Sequence, residues 1–463
     1  MKQGLLRAII CSSVVSYSSP VISGPSQFSG PLNTLGNVST QQTILSATVN
    51  PAAGEYVMGK SISWGYLTSL GFDVEFGDVD DLVDSFDTLV VELDRLDNEA
   101  NTFGEIVTLG EVEAVRDQSN DFLVELGRKG TMKVGVQTRV PLFPISIRSE
   151  KLNGVVTLDA HINAEVAALF VDRPLEIVAP DILAGEFNFG LTTDTIVALS
   201  SAEMSTYSIG YSYDLANSHV MDGLGNKFLK VNDRLLLGAK LSYYQANLSS
   251  LVVAIDQEDD NDDLWDLISD GFDDNQVKTN EFGLDLGILW VSERFLIGAT
   301  WKNINEPSFK SSRLGENCLN FASPDLRNSC NLAISFAAEG RLDLNPEYVM
   351  ERQISIEGTV FTSNKHWVFA AGYDFNGVSG PVQDEYKWMT GSVSYFLMSY
   401  WIPSVRVGFR SNLEGTELNF VNMGFTILGG IHADLSTAID SVKIDGDELP
   451  KSFSLNIGFE RKF

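Results

Sequence analysis

The 463-residue chain carries 62 acidic against 32 basic side chains, a formal net charge of −30, which excludes nucleic-acid binding through phosphate contacts. No apolar run approaches the ~18 residues that a membrane-spanning helix needs, which excludes a helical membrane protein. Scarce proline (14), plentiful glycine (39), 10% aromatic residues and a mean hydropathy near zero suit many amphipathic strands better than one conventional buried core.

At the start, Lys2 and Arg7 flank the apolar stretch Ala8 to Val15, broken only by Ser12 and Ser13, and Val21-Ile22-Ser23 leads to Gly24. Residues 1–23 therefore read as a signal peptide, and Ile10 before Cys11 argues against a lipoprotein signal. Residues 24–57 are small and polar, with no sustained period. Within them Asn50-Pro51-Ala52 is a turn: Asn caps and Pro fixes the backbone that follows. Residues 58–463 read as one barrel with a helical insertion at about 78–129. There Val79, Leu82, Val83, Phe86, Leu89, Val90, Leu93 and Leu96 recur at three and four, and a weaker run follows with Ile106, Leu109, Val112, Val115, Phe122, Leu123 and Leu126. This segment is either a helical hairpin that plugs or caps the barrel or a connection that packs its stripe on the wall, and the second is favoured.

Strands then dominate. From Leu152 to Phe170 apolar residues occupy the even positions, against Asn153, Thr157, Asp159, His161, Asn163 and Glu165 on the odd ones, a length that suits a tilted membrane crossing. Comparable runs are Tyr207 to Leu215, Leu235 to Tyr243, Phe282 to Trp290, Phe295 to Asn303, Ile354 to Val360, Trp367 to Phe375, Met389 to Leu397, Val405 to Phe409, Val421 to Ile427 and Ile431 to Ile439. In the last thirteen residues, Phe453, Leu455, Ile457, Phe459 and Phe463 form one face, and Ser452, Ser454, Asn456, Gly458, Glu460 and Lys462 the other. A terminal strand ending on an aromatic residue is how outer-membrane barrels close.

If Phe463 ends in the periplasm, the short turns at Val291 to Arg294, Thr362 to Lys365 and Gly429-Gly430 fall on that side, and the long connections at about 250–280 and 305–348 face outward. About fifteen candidate strands emerge, and an odd number cannot leave both ends on one side. Either Ser61 to Phe76 belongs to the plug, leaving 14, or Leu332 to Phe336 hides another, giving 16.

Several stretches resemble a known family. The segment Ser61 to Leu89 (SISWGYLTSLGFDVEFGDVDDLVDSFDTL) is similar to the conjugal-transfer TraF-like outer-membrane proteins, which belong with the FadL-type barrels and are distinct from the thioredoxin-like protein of the same name. Phe282 to Phe309, the pair GENC (Gly315 to Cys318) and NSC (Asn328 to Cys330), and the run from Trp401 to Leu428 with the closing strand extend the resemblance. It implies a single-chain antiparallel barrel, favours 14 strands, and implies that residues 24–57 are a plug or hatch segment with Asn50, Pro51 and Ala52 as its motif. One departure is that the glycine-rich stretch expected ahead of that turn is reduced to Gly36-Asn37-Val38.

Candidate chemistry is thin. With the signal peptide removed, Cys318 and Cys330 are an even pair in an exported chain and suggest a disulfide, with metal ligation the weaker alternative because no histidine sits nearby. Asp256, Glu258, Asp260 and Asp262 offer the oxygen donors that calcium takes, without EF-hand spacing. A weak divalent-cation site bridging lipopolysaccharide phosphates and a plain solvated acidic loop both stay open, the latter favoured. His161, His219, His366 and His432 are scattered, no Ser-His signature of a lipolytic enzyme occurs, and no cofactor is implied. Trp290, Trp301, Trp367, Trp388 and Trp401 stand near strand ends, as interface girdles require. The expected place is the bacterial outer membrane. The expected partners are its lipid and lipopolysaccharide, the barrel assembly machinery, components of a conjugation apparatus, and no nucleic acid. The leading reading is a barrel associated with conjugal transfer or envelope assembly, and the alternative is a FadL-type conduit for hydrophobic small molecules.

Overall fold

The computed structural model describes residues 28–59, 63–79, 109–179, 190–215, 233–255, 271–272, 275–316, 318–320, 324–382, 384–397, 401–444 and 447–463. The expected signal peptide, the helical run from Leu82 to Leu96, the acidic positions Asp256, Glu258, Asp260 and Asp262, and His219 lie outside these residues.

The strands are β1 (Trp64–Phe76), β2 in two pieces (Thr131–Arg139 and Ile145–Ser149), β3 (Gly154–Val171), β4 (Ile196–Asp214), β5 (Arg234–Ala254), β6 (Val277–Val291) and β7 (Phe295–Lys302). They continue with β8 (Gln353–Phe361), β9 (Trp367–Asp374), β10 (Trp388–Tyr395), β11 (Ser404–Asn412), β12 (Asn419–Ile427), β13 (Ile431–Ala438) and β14 (Ser452–Lys462). Each pairs antiparallel with its neighbours in sequence. Both pieces of β2 pair with β1 and with β3, so they are one interrupted strand and the sheet is a barrel of 14 strands. Pro141 and Pro144 lie in the interruption, where a missing N–H costs no ladder bond. The sheet closes on itself by pairing β1 with β14, Leu70 opposite Ile457 and Phe72 opposite Leu455, and the Phe463 ring stacks on Trp64 at 4.4 Å.

The alternation is inverted relative to a soluble sandwich. Outward residues such as Leu237, Leu241, Ile297, Val405, Val407, Val421, Met423, Phe453, Leu455 and Ile457 are apolar and exposed, while inward residues such as Thr359, Ser392, Arg406, Asn422, Asp434, Ser436 and Asn456 are polar and buried. An apolar exterior around a polar filled interior is what a lipid-immersed barrel requires, so this is a transmembrane barrel. The turns at 292–294, 362–366 and 428–430 share the end that carries Phe463, and the connections 303–352 and 439–451 share the other, hereafter the loop end.

The barrel is uneven in height. Strands β3, β4 and β5 have 18, 19 and 21 residues, whereas β8 to β13 have 8 or 9. A crossing takes ~9–11 residues, so the long strands rise past the membrane at the loop end. Their surface changes there: outside, Tyr207, Tyr243 and Phe282 are succeeded by Ser205, Gln245 and Asn280. Higher still, both faces are apolar and both are covered. A helix at Leu109–Lys129 lays Leu123 and Leu126 on outward residues that include Phe170, Val197 and Val253, and a helix at Pro324–Ala338 lays Leu332, Ala333 and Phe336 on inward ones that include Ile196, Val252 and Ala254.

Three expectations need correcting. The 14-strand count holds, but Trp64–Phe76 is a wall strand and not plug: it pairs with β2 on one side and β14 on the other, so it closes the sheet, with Leu70 exposed outward and Phe72 and Val74 packed under the Leu109–Lys129 helix. Leu332 to Phe336 lies in the Pro324–Ala338 helix, whose apolar stripe covers the wall, so it hides no strand. A strand not among the expected runs spans 131–149: Met132, Val134 and Val136 alternate, but the prolines interrupt the period.

Candidate functional site

Residues 28–59 thread through the lumen as short helical turns, Leu32–Leu35, Ser46–Val49, Pro51–Ala53 and Gly54–Met58. Turns this short are not stable alone, and each is held by the wall. The Asn50 side chain accepts from the Ala52 N–H at 3.0 Å, capping the turn, and donates to the Glu357 carboxylate at 2.7 Å. Ser39 also donates to Glu357, from its hydroxyl at 2.8 Å and from its backbone N–H. One wall carboxylate thus ties together two parts of the plug that lie eleven residues apart in the chain.

The wall makes room for that turn. Gly238 and Gly287 are directly paired on β5 and β6, and a β-carbon on Gly287 would come within 2.1 Å of the Asn50 amide oxygen. One on Gly238 would come within 2.2 Å of the Pro51 carbonyl carbon. Only glycine permits so close a backbone approach. Next to it, Ser212 of β4 donates to the Ala52 carbonyl at 2.7 Å and accepts from the Glu55 N–H at 3.0 Å, while Arg148 and Arg234 hold the Glu55 carboxylate at 2.9 and 3.1 Å.

The opposite wall grips the plug's first half. Arg406 and Asp434 form a buried pair at 2.8 Å, and Thr34 donates to Asp434 at 2.6 Å. Asn33 accepts from Arg410 and from Ser454, Asn456 accepts from the Gly30 N–H, and Glu460 accepts from the Ile44 N–H, each at 3.0–3.1 Å. The polar faces of the closing strands are therefore largely a receptacle for the plug. Near the Phe463 end, Ile44, Leu45 and Val57 of the plug pack among Leu67, Leu236, Leu289 and Leu296 of the wall.

The lumen that remains lies on the tall side. A cavity of about 190 Å³ is bounded by the plug residues Phe28, Leu32, Thr48 and Val49 and by Arg139, Asp159, His161, Lys240, Asp285, Lys302 and Tyr244. Its charges are mostly paired: Lys240 meets Asp285 at 2.7 Å and donates to the Thr48 carbonyl at 2.8 Å, and His161 meets Asp159 at 2.9 Å. A second chamber of about 320 Å³ lies above it at the loop end, and Tyr348, Glu351 and Ser379 line both.

Asn50, Pro51 and Ala52 thus sit against β4, β5 and β6 inside the barrel. Phe453, Leu455, Ile457 and Phe463 face outward on the closing strand. Cys318 and Cys330 are disulfide-bonded in the loop-end connection, with Cα atoms 5.5 Å apart. His366 lies in a turn with its ring against the Phe396 carbonyl, His432 is buried facing the plug, and neither joins a serine in a catalytic arrangement. Trp388 departs from the expected girdle. It faces inward and is buried, stacked on Tyr386 and edge-on to Phe28, and the Arg410 guanidinium lies 5.3 Å from its ring. Glu357, Asp434, Gly238 and Gly287 escaped sequence reasoning: single polar or glycine positions in an alternating strand look alike until a plug is seated on them.

A filled, charge-lined lumen inside a lipid-facing cylinder defines a plugged transmembrane β-barrel. Within that class the chain belongs to the family described as "F plasmid transfer operon, TraF, protein", whose profile matches residues 47–374. No curated protein sequence matches it. Among solved structures it is similar to the toluene transporter TbuX of Ralstonia pickettii, at 11% identity and a TM-score of 0.41 over 94% of this chain and 98% of that one. It is also similar to the toluene transporter TodX of Pseudomonas putida, at 10% identity and a TM-score of 0.40 over 96% and 98%.

Proposed function

We propose that this barrel lies in the bacterial outer membrane, with Phe463 on the periplasmic side, and serves a conjugation or envelope-transfer system as a plugged structural component. The observation that carries this reading is the occupation of the lumen: residues 28–59 fill it through buried polar contacts on both walls, and the space left over is polar. Membership of a family described by a plasmid transfer operon supports the association with transfer. In this reading the partners are outer-membrane lipid and lipopolysaccharide, the barrel assembly machinery and components of the conjugation apparatus, and the chain carries out no catalysis. A conduit for hydrophobic small molecules is less well supported, because Arg139, Asp159, Lys240, Asp285 and Lys302 line the cavity such a molecule would have to enter.

Deletion of the gene tests the choice when plasmid transfer frequency and growth on long-chain fatty acids are measured together. Loss of transfer with unchanged growth is expected, and the converse would overturn the proposal. Labelling of a cysteine placed in the 303–352 connection of intact cells by a membrane-impermeant reagent tests the orientation.

A further inference from the structure

We infer that the lower cavity, of about 190 Å³, is a binding site for an aliphatic α-amino acid in its zwitterionic form. Most of the charges around it cancel within the wall. Arg139 pairs with Asp159 and Lys240 with Asp285, and Arg139, Asp159 and Asp285 are each at most 5% exposed, so these four make a fixed lining of no net charge. Two half-buried charges are left over, Lys302 and Glu351, and they have opposite sign. Neither forms an ion pair among the described residues.

The partners of these two groups place their charged ends at the cavity. The Lys302 ammonium donates to the Gln353 side-chain oxygen at 3.4 Å, long for a hydrogen bond, and Gln353 is buried in the cavity wall. The Glu351 carboxylate accepts from the Ser379 N–H at 3.0 Å, and Ser379 lines the same cavity. Glu357 feels the Lys302 charge from nearer the Phe463 end, but its oxygens are taken by Asn50 and Ser39 of the plug. Lys302 therefore keeps N–H donors to spare, and Glu351 keeps lone pairs.

The pairing of signs selects the class of ligand. Lys302 stands opposite Gln353 in the β7–β8 register, two residues from Glu351, yet the cation and the anion do not meet. A molecule of one charge would match one of them and leave the other unmatched in a partly desolvated site. A zwitterion matches both: its carboxylate accepts from Lys302 and its ammonium donates to Glu351. The remaining surface sets the side chain. Leu32 and Val49 of the plug and Met204, Met350 and Val378 of the wall are apolar, and the volume equals that of about six waters. An aliphatic side chain of moderate size fits there, with the methionines able to adapt to it. Glu351 and Ser379 also line the chamber at the loop end, so a solute arriving from that side meets the anionic arm first.

The inference stands apart from the transfer role, because binding is read on purified protein. The test uses the full-length chain in detergent micelles, L-leucine as the probe and titration calorimetry. Saturable binding of one leucine per chain is expected. Leucinamide, which lacks the carboxylate, and 4-methylpentanoate, which lacks the ammonium, should each bind about tenfold or more weakly, as loss of one charge-assisted hydrogen bond predicts. Lys302→Gln should weaken leucine by a similar factor and abolish its advantage over leucinamide, while its advantage over 4-methylpentanoate persists. Glu351→Gln should do the reverse, and it serves alone if Lys302→Gln does not fold. Lys365→Gln, in the turn at the Phe463 end, should leave affinity unchanged. Failure of leucine to saturate, an analogue that binds as tightly as leucine, or an equal loss in the Lys365→Gln protein would each overturn the inference.

Discussion

The two sides of the lumen solve the same problem in opposite ways. Along β8 to β14, inward polar groups that include Glu357, Ser392, Arg410, Asp434, Ser454, Asn456 and Glu460 are spent on residues 28–59, and the Arg406–Asp434 pair is sealed from solvent. Along β3 to β6, where strands are long, the inward charges face a cavity and satisfy one another, with Lys240 bridging Asp285 and the plug. A polar lumen is thus not one thing: on one side it is a socket throughout, on the other a socket only where Ser212 and Arg234 hold the plug, with a cavity beside it. The same kind of residue should therefore matter by very different amounts on the two sides.

The sharpest way to break the comparison is to remove one cation from each side. Arg406→Ala strands Asp434 in a dry site and should cost about 3–5 kcal/mol, seen as a lowered Tm in detergent micelles. Lys240→Ala leaves Asp285 beside a cavity and still accepting from the Asn303 N–H, and should cost less, about 1–3 kcal/mol. Equal losses would mean that the two sides are not different. Next in size is Gly287→Val, which drives a side chain into Asn50 and Pro51 and should cost about 1–3 kcal/mol or more by overpacking. The plug should become protease-sensitive while the barrel keeps its strand signal in circular dichroism. Asn50→Ala removes the cap and one donor to Glu357 and should cost about 1–2 kcal/mol, with the same readout and smaller amplitude.

These positions also mark the limit of what could be read from the chain. The cylinder itself was legible because its outward row must be apolar wherever it meets lipid, as Phe453, Leu455 and Ile457 do. Strand ends on the tall side were not. Expected runs stopped at Tyr207 and Tyr243, whereas the strands run on to Ile196 and Ala254. Beyond the membrane edge the outer face turns to Ser205 and Gln245, and higher up helices bury both faces, so no single alternation persists. The helix at Leu109–Lys129 was readable from its stripe, and it packs on the wall because Leu123 and Leu126 have apolar wall residues to cover. The plug's partners were not readable, since pairing Asn50 with Glu357 depends on a separation of 307 residues that no local period encodes.

Smaller effects belong to the loop end. Replacing Cys318 and Cys330 by Ser releases a loop whose ends are 12 residues apart, worth about 2–3 kcal/mol locally in the chain-entropy model. The barrel Tm should hardly move, because the socket side is untouched, while proteolysis within 303–352 should accelerate.

The smallest expected effect depends on pH. Asp78, just past the end of β1, accepts hydrogen bonds from Lys451 and Lys129, which hold its carboxyl below the usual range. A carboxylate with a depressed folded-state pKa contributes stability above its unfolded value of about 3.9, and that contribution fades as pH falls through the folded value. Asp78 is more than half exposed, so solvent screens the contacts and the contribution is slight. Asp78→Asn should therefore lower the Tm marginally at pH 7, the difference should vanish in acid, and added salt should shrink it as well. A gap between the two proteins that persisted at pH 3 would place the importance of Asp78 in packing at the junction of β1, β14 and the helical insertion, and not in its charge.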